Sequence, residues 1–302
     1  MRKILLAFVV CALIGPSSRA GDLVRTVRYK LSAGDLASGI AAVEEYKLST
    51  GVVDAEYLDA TGWLARGAEM LGRPDLADQY VAELRREIPA EKPDLVVPLG
   101  AAIEVQSKLI AARQGRGSAV RFLQNELRHA NAVALRARIY KNINLLSLEG
   151  HPAPTLDQSE FIGAAPPSPL LPVGKPALLF FWYWGCGDCK AQSAPLARVW
   201  QKYREKGLTM ITATRLYGTV DDKPATPAEE RVQLEKVWKE TYAGLEGVPT
   251  VISTNTIVRY GVSATPTFVL VDRKGMVRLY APTRLSEAEL SRRIDEVLAE
   301  AP

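Results

Sequence analysis

The chain has 302 residues, 47% hydrophobic and 24% charged, so it has the length and apolar content for about two folded domains. Its formal net charge is +4, but residues 1–20 contain three basic residues and no acidic one, so residues 21–302 carry 4 − 3 = +1. A nearly neutral chain gives no reason to expect nucleic acid or an acidic membrane surface as a partner.

Residues 1–20 have the organisation of a secretory signal peptide. Two basic residues begin the segment, residues 4–14 form an apolar stretch, and Ser18 and Ala20 place small residues before an expected cut after Ala20. The eleven apolar residues are fewer than the ~20 that span a bilayer. The sequence therefore predicts an exported, periplasmic protein with a cleaved leader, and an uncleaved membrane anchor is the alternative.

The small number of cysteines also limits the possible functions. Cleavage would remove Cys11 and leave only Cys186 and Cys189, which is too few for a disulfide-stapled scaffold and indicates redox chemistry. A structural zinc site needs four ligands, and the only histidines are His129, in a polar helical stretch, and His151, at a boundary. We therefore predict neither a metal nor a cofactor.

Residues 21–150 are predicted to form an all-α domain of helical hairpins. Apolar residues recur at helical spacing throughout, and glycine-containing turns at 72–75 and 115–118 separate successive helices. Residues 63–77 are similar to a tetratricopeptide-type hairpin, although the two turns are 115 − 72 = 43 residues apart and that repeat has about 34. Two interpretations remain: the domain presents a groove to a partner protein, or it is a helical cap without a ligand.

A change of composition follows. Residues 151–176 contain seven prolines, which exclude helix and predict a boundary and the start of a second domain. From residue 177 on, apolar strands alternate with helical patterns, which predicts an α/β layer fold. The predicted strands cover residues 177–183, 208–214, 248–253, 267–272 and 276–281, and the predicted helices cover about 187–206, 227–243 and 286–300.

The first predicted strand leads directly into the sequence Cys-Gly-Asp-Cys at 186–189, where a helix is expected to begin. A thiol at the start of a helix is stabilised as a thiolate by the unpaired backbone N–H groups and the helix dipole. Cys189 comes one turn after Cys186, close enough to form a disulfide with it. Much later in the chain, Thr265 and Pro266 precede another apolar strand.

In this arrangement the second half resembles the thioredoxin superfamily, and within it the TlpA-like exported thiol–disulfide oxidoreductases. The matching segments occur in the family's order over about half of the chain, at residues 150–156, 174–182, 186–190, 260–262, 265–267 and 272–275. The resemblance implies an α/β thioredoxin-like domain over 177–302. It also implies that Pro266 is cis and faces the cysteine pair, and that the backbone at Thr265 pairs with bound substrate.

Three positions depart from the family's pattern. Gly185 stands where tryptophan usually precedes the first cysteine, with Trp184 one position earlier. Pro195 lies one residue later than the usual helix proline. The strand position where thioredoxins bury an acid is apolar here, around Phe180, which leaves the proton acceptor for Cys189 unidentified.

The predicted mechanism has Cys186 attack a substrate disulfide and Cys189 resolve the mixed disulfide. Gly187, Asp188 and Lys190 complete the motif. The positive charge of Lys190 favours the thiolate, whereas the negative charge of Asp188 opposes it, so the pKa of Cys186 is expected to fall less than in strong oxidants. Weaker stabilisation of the thiolate favours a reductase.

The predicted substrate-binding residues are Trp184, Thr265 and Pro266. Arg215 and Tyr217 follow a predicted strand and are further candidates to line the cleft, although loop residues at such a place often have no role.

Four functions remain open. A reductase is predicted, with disulfide-bearing exported proteins as substrates and a membrane electron donor or acceptor for the dithiol. An oxidase or isomerase on the same fold is the second, and a peroxidase is the third, which is disfavoured because Tyr183 occupies the place where threonine is wanted. The fourth is a binding module whose helical domain docks a protein, with a dithiol that is incidental or carries copper.

Overall fold

The computed structural model describes residues 21–158, 160–166, 170–171, 174–221 and 223–300. The predicted signal peptide and its cleavage site lie outside these residues. Within them, helices come first and a mixed β-sheet with flanking helices follows. The predicted fold class, an all-α region before an α/β domain, is confirmed.

Seven helices form the described part of the helical half. They are α1 (Asp22–Ser32), α2 (Leu36–Thr50), α3 (Ala55–Met70), α4 (Pro74–Glu87), α5 (Val96–Gln114), α6 (Arg116–His129) and α7 (Val133–Ser147). Asp35 and Asp54 cap α2 and α3, because each carboxylate accepts a hydrogen bond from a backbone N–H in the first turn. Gly72 and Gly115 lie in the two predicted turns at φ of 70° and 86°, a region that favours glycine.

Helix α5 is the central helix of this half and packs against α3, α4, α6 and α7. The segment Pro93–Gln114, which contains α5, is long and apolar enough to cross a membrane, but 61% of its most apolar window is buried. An amphipathic bundle needs such a helix at its centre. The hairpin of α3 and α4 coincides with the segment similar to a tetratricopeptide repeat, and that similarity stays a prediction.

The second half is built on a six-stranded sheet. Its strands, in chain order, are β1 (Phe161–Gly163), β2 (Ala177–Phe181), β3 (Thr209–Thr214), β6 (Pro249–Ile252), β7 (Thr267–Val271) and β8 (Val277–Ala281), and a separate hairpin consists of β4 (Thr219–Val220) and β5 (Lys223–Pro224). The strand order across the sheet is β1-β6-β3-β2-β7-β8. Strand β2 is parallel to β3 and antiparallel to β7, and β3 is parallel to β6.

All five residues of β2 are buried, because helices cover both faces of the sheet. Leu178 and Phe180 point into one core, and Leu179 and Phe181 point into the other. The helices of this half are α8 (Gly187–Ala191), α9 (Ser193–Tyr203), α10 (Pro227–Thr241), α11 (Thr254–Arg259) and α12 (Glu287–Ala299).

The structure corrects one predicted helix and adds several short elements. The helix predicted over residues 187–206 is interrupted at Gln192, between α8 and α9. Pro195 lacks the N–H that would reach back to the carbonyl of Ala191, so the helix restarts and Pro195 lies in the first turn of α9. The elements β1, β4, β5 and α11 were not predicted, because each has at most six residues and too little periodicity to detect.

The two halves contact each other through α7 and α11. Gly261 follows α11 at φ of 63°, and a Cβ there would overlap the backbone nitrogen of Lys141 in α7, so only glycine permits this approach. The side-chain amide of Asn144 donates a hydrogen bond to the carbonyl of Arg259, 3.2 Å away. These contacts hold α7 beside the loop that precedes β7.

Candidate active site

Cys186 and Cys189 form a disulfide at the start of α8, with their Cα atoms 5.2 Å apart. Cys189 is completely buried, whereas Cys186 is half-buried. Because an attacking sulfur must be reached by its substrate, the difference in exposure fits Cys186 as the nucleophile and Cys189 as the resolving residue.

One backbone donor faces the sulfur of Cys186. Cys186 occupies the N-cap position of α8, and the N–H of Cys189 points at its Sγ from 3.1 Å. The chain is held in this turn by a hydrogen bond from the N–H of Cys186 to the carbonyl of Tyr183, 3.0 Å away. After reduction, the same donor is placed to stabilise a thiolate at Cys186.

The bond between Thr265 and Pro266 is cis, which confirms the predicted conformation. The carbonyl oxygen of Thr265 lies 3.4 Å from Sγ of Cys186, so this loop forms one side of the site. The described second half thus combines a mixed sheet, a Cys-x-x-Cys pair after β2 and a cis proline before β7.

The second half has a thioredoxin-like fold.

No family model and no curated protein matches the sequence. Solved structures similar to this chain include a thiol-disulfide isomerase from Corynebacterium glutamicum, with 20% identity and a TM-score of 0.42 over 50% of this chain and 99% of that one. A putative thiol:disulfide interchange protein DsbE from Chlorobium tepidum has 21% identity and a TM-score of 0.36, over 50% and 98%. A secreted disulfide oxidoreductase from Mycobacterium tuberculosis has 22% identity and a TM-score of 0.31, over 41% and 83%.

The remaining residues of the motif lie at the surface. Gly187, Asp188 and Lys190 are exposed. The carboxylate of Asp188 lies 3.3 Å from the guanidinium of Arg284, and both side chains are about 60% exposed. Because an exposed ion pair is largely screened by water, Arg284 only weakly offsets the effect of Asp188 on a thiolate at Cys186.

Trp184 is held by a buried carboxylate that sequence reasoning missed. Its indole is only 6% exposed and donates a hydrogen bond to Glu230, 3.1 Å away. Glu230 is completely buried in α10 and also accepts hydrogen bonds from the backbone N–H groups of Tyr217 and Gly218, each at 2.7 Å. The carboxylate therefore fixes both the tryptophan and the loop after β3.

The sequence contains a signal for this residue. Glu230 lies on the same face of α10 as Leu234, Val237 and Trp238, which are all buried. A single acid on the apolar face of a helix is expected to have hydrogen-bond partners inside the protein. Because Trp184 is buried in this arrangement, its predicted direct contact with substrate stays a prediction.

An aromatic wall stands next to the cysteine pair. The rings of Tyr183 and Tyr217 are 4.4 Å apart, and the guanidinium of Arg215 lies 4.1 Å from the centre of the Tyr217 ring. A Cβ at Gly185 would lie 2.7 Å from the Tyr183 ring, so glycine at the position where the family usually has tryptophan leaves room for Tyr183. Burial raises the pKa of Tyr217 to about 12, so its hydroxyl is neutral at physiological pH.

Beside this wall is a cleft that we call the α7 cleft. It has a volume of about 140 Å³, and its lining includes Ala134, Arg138, Tyr183, Arg215, Tyr217 and Thr265. Arg215 and Tyr217 line a cleft, as the sequence suggested, and the structure adds a wall from the helical half. Thr265 lines this cleft and also contacts the sulfur of Cys186, so one residue connects the α7 cleft to the cysteine pair.

The strand before the cysteine pair carries no acid that could serve Cys189. Phe180 is completely buried and apolar, and β2 contains no ionisable side chain, so no residue of that strand can accept the proton of Cys189.

His129 and His151 are exposed and contact carbonyl oxygens of their own chain segments. Within the described ranges, no group of three or more His, Cys, Asp or Glu side chains could hold a metal ion.

Proposed function

We propose that the protein is an exported thiol–disulfide oxidoreductase that reduces disulfides of extracytoplasmic proteins. The observation that carries the proposal is the disulfide between half-buried Cys186 and buried Cys189, at the start of a helix and beside a cis Thr265–Pro266 bond. A disulfide with one accessible sulfur can exchange with another disulfide through a mixed intermediate.

The proposed reaction begins with the reduced protein. The thiolate of Cys186 attacks one sulfur of the substrate disulfide, and the other sulfur leaves as a thiolate. The proton of Cys189 passes, directly or through water, to the substrate thiolate released first. Cys189 then attacks Sγ of Cys186, which breaks the mixed disulfide and releases the second substrate thiolate. Two electrons pass to the substrate, and the protein is left with the Cys186–Cys189 disulfide. An external dithiol must reduce this bond before the next cycle.

The environment of Cys186 supports the reducing direction. Its sulfur faces one backbone N–H donor, and the carboxylate of Asp188 lies in the first turn of the same helix. A negative charge there disfavours the thiolate, and Arg284 compensates it only weakly because the ion pair is exposed. A pair whose thiolate is opposed by a neighbouring carboxylate is less oxidising than the same pair without that carboxylate.

Export and partners are part of the same proposal. The proposed leader at residues 1–20 directs the chain out of the cytoplasm, where disulfide-bearing proteins are the available substrates. Outside the cytoplasm no thiol pool keeps the pair reduced, so a membrane protein that supplies electrons is the expected partner.

The reduction potential of the Cys186–Cys189 pair tests the direction. Residues 21–302 would be equilibrated against thiol buffers of known potential, and the fraction of disulfide measured by alkylation and mass spectrometry. A value near about −270 mV supports the reductase, whereas a value near about −120 mV would make the protein an oxidant of new disulfides. If the pair never closes into a disulfide, neither a reductase nor an oxidant is supported, and the binding-module interpretation replaces them.

A further inference from the structure

The α7 cleft combines positive charge with proximity to the reacting sulfur. Two arginines, Arg138 from α7 and Arg215 from the loop after β3, line it, and no Asp or Glu does. Thr265 lines the same cleft and has its carbonyl oxygen 3.4 Å from Sγ of Cys186. A molecule whose disulfide is at Cys186 would therefore reach the cleft past a single residue, Thr265.

Arg138 makes no direct contact with an acid among the described residues. Its guanidinium makes no ion pair within 4.0 Å and donates no hydrogen bond, and its Nε atom is buried without a partner. The stem of the side chain lies on Gly100, where a Cβ would be 2.6 Å from Cδ of Arg138. The helical half thus provides space for this arginine and gives its guanidinium no direct acidic partner. An unpaired, partly buried cation is costly unless a ligand compensates it.

The nearest acids do not meet this need. Glu104 is shared by Arg66 and Lys141, each 3.2 Å from its Oε2 atom. Asp59 lies farther than 4 Å from Arg138, and its buried Oδ1 atom has no partner either. Burial and the neighbouring charge of Arg66 lower the pKa of Arg138, whereas the charges of Glu104 and Asp59, both beyond 4 Å, raise it. Around Arg138, the three basic side chains of Arg66, Arg138 and Lys141 thus outnumber the two acids, Glu104 and Asp59.

The opposite wall supplies two more polar groups. Arg215 donates one hydrogen bond to the carbonyl of Leu216 and lies over the ring of Tyr217, which leaves other guanidinium N–H groups available. The hydroxyl of Ser263 also lines the cleft, and its Oγ is buried without a partner. Together these groups offer several donors and no negatively charged acceptor, which is the donor set that a carboxylate fits.

We propose that the α7 cleft binds a carboxylate carried by the disulfide substrate close to its reacting sulfur, with Arg138 and Arg215 as the ligands. This inference rests on the proposed function, since it concerns the substrate of the same cysteine pair. The carboxylate takes no part in the exchange: it orients the substrate while sulfur–sulfur bonds break and form as described above. The helical half then selects substrates at the site.

The carboxylate can come from two sources. It can be an Asp or Glu side chain next to a cysteine of a protein, or a carboxylate of a small disulfide. The cleft volume of about 140 Å³ suits one side chain or a small acid, and both present the same chemistry to the arginines.

Three small disulfides of similar size test the proposal in the full chain. They are dithiodipropionate, which is anionic, bis(2-hydroxyethyl) disulfide, which is neutral, and cystamine, which is cationic. We expect the wild-type protein, kept reduced by an excess of dithiol, to have the highest kcat/KM with the anion. Arg138→Gln should lower kcat/KM for the anion about tenfold, the loss expected for a charge-assisted hydrogen bond, and leave the neutral disulfide unchanged.

Matched variants separate a local effect from a global one. Arg121→Gln removes one exposed positive charge from α6, at a residue that does not line the cleft, and should change no substrate preference. Arg138→Lys keeps the charge and should restore part of the preference for the anion. Thermal unfolding of each variant shows whether it is folded.

The outcomes distinguish the two proposals. If the neutral disulfide is not reduced by the wild-type protein, the proposed function fails. If it is reduced, but the anion has no advantage or Arg138→Gln leaves that advantage intact, the carboxylate site is overturned and the oxidoreductase stands. Peptide disulfides with Asp or Asn beside the cysteine then identify the source of the carboxylate. If the protein prefers the Asp peptide and this preference depends on Arg138, the carboxylate belongs to a protein side chain. If there is no such preference, it belongs to a small disulfide.

Discussion

The two walls of the α7 cleft treat buried charge in opposite ways. On the sheet side, Glu230 does not line the cleft itself but is completely buried and accepts hydrogen bonds from Trp184 and from the backbone of Tyr217, a lining residue, and Gly218. On the helical side, Arg138 has no hydrogen bond or ion pair among the described residues, and its Nε is buried. A satisfied buried charge fixes the structure, whereas an unsatisfied one at a cleft is available to a ligand.

The largest expected effect tests whether the chemistry belongs to the sheet wall alone. Cys186→Ser should reduce disulfide turnover to the uncatalysed rate, because no other thiol of the described chain is exposed to attack. Cys189→Ser should instead accumulate a mixed disulfide at Cys186, visible as the added mass of the substrate half. Turnover by Cys186→Ser on the neutral disulfide would contradict the assignment of nucleophile.

The second prediction concerns the contact between Gly261 and helix α7, which joins the two halves. In Gly261→Ala, the new Cβ overlaps the backbone of Lys141, and positive φ adds strain, so we expect a loss of about 3 kcal/mol in the free energy of unfolding. Gly72→Ala has the same sign of φ at 70° and open space around it, and should cost about 1–2 kcal/mol. Urea denaturation measures both, and equal losses would show that the contact with α7 contributes nothing.

A smaller effect tests the satisfied carboxylate. Glu230→Gln places an amide among three N–H donors, so we expect destabilisation by about 2 kcal/mol and a change in the fluorescence of Trp184. Glu229→Gln is the matched control, because this exposed neighbour caps α10 and glutamine can keep the capping hydrogen bond. A shift no larger than that of the control would mean that Glu230 is not a structural carboxylate.

The smallest expected effect is a change in the pH dependence of stability, caused by Asp59 in the helical half. Burial raises the pKa of Asp59 above its ordinary 3.8, because it disfavours the charged form more than nearby arginines favour it. The protonated acid therefore favours folding below pH 3.8, and this contribution is lost as the pH rises through the folded-state pKa. Asp59→Asn should raise the melting temperature slightly at pH 7 and have no effect near pH 3. An equal effect at both values would exclude titration of Asp59 as its cause.

The motif residues of the sheet half could be predicted from sequence because their signals are local. A strand, a Cys-x-x-Cys pair and a helix follow one another within 177–203, and Thr265 and Pro266 directly precede β7. Short elements such as β1, with three residues, have no such pattern. Proline at 195 did contain the information that its helix restarts, since the missing N–H is a local property.

The helical wall could not be predicted, because its signals are long-range. Arg138 has the sequence context of any polar residue on an amphipathic helix, and nothing local shows that its stem lies on Gly100. Gly261 belongs to a recognised motif, yet its reason, the backbone of Lys141, is 120 residues away (261 − 141). Glu230 is intermediate: its position on an apolar helical face was visible, but its partners were not.

The connection between the halves also protects the sheet. The backbone after α7 pairs with the outer side of β8: the N–H of Gly150 donates to the carbonyl of Val277, whose N–H donates to the carbonyl of His151. Glu149 accepts a hydrogen bond from the N–H of Tyr280 in the same strand. A bare edge strand can add to the edge of another molecule and lead to aggregation. A protein from which the residues up to 153 were deleted would therefore have an exposed edge at β8, and we expect it to self-associate.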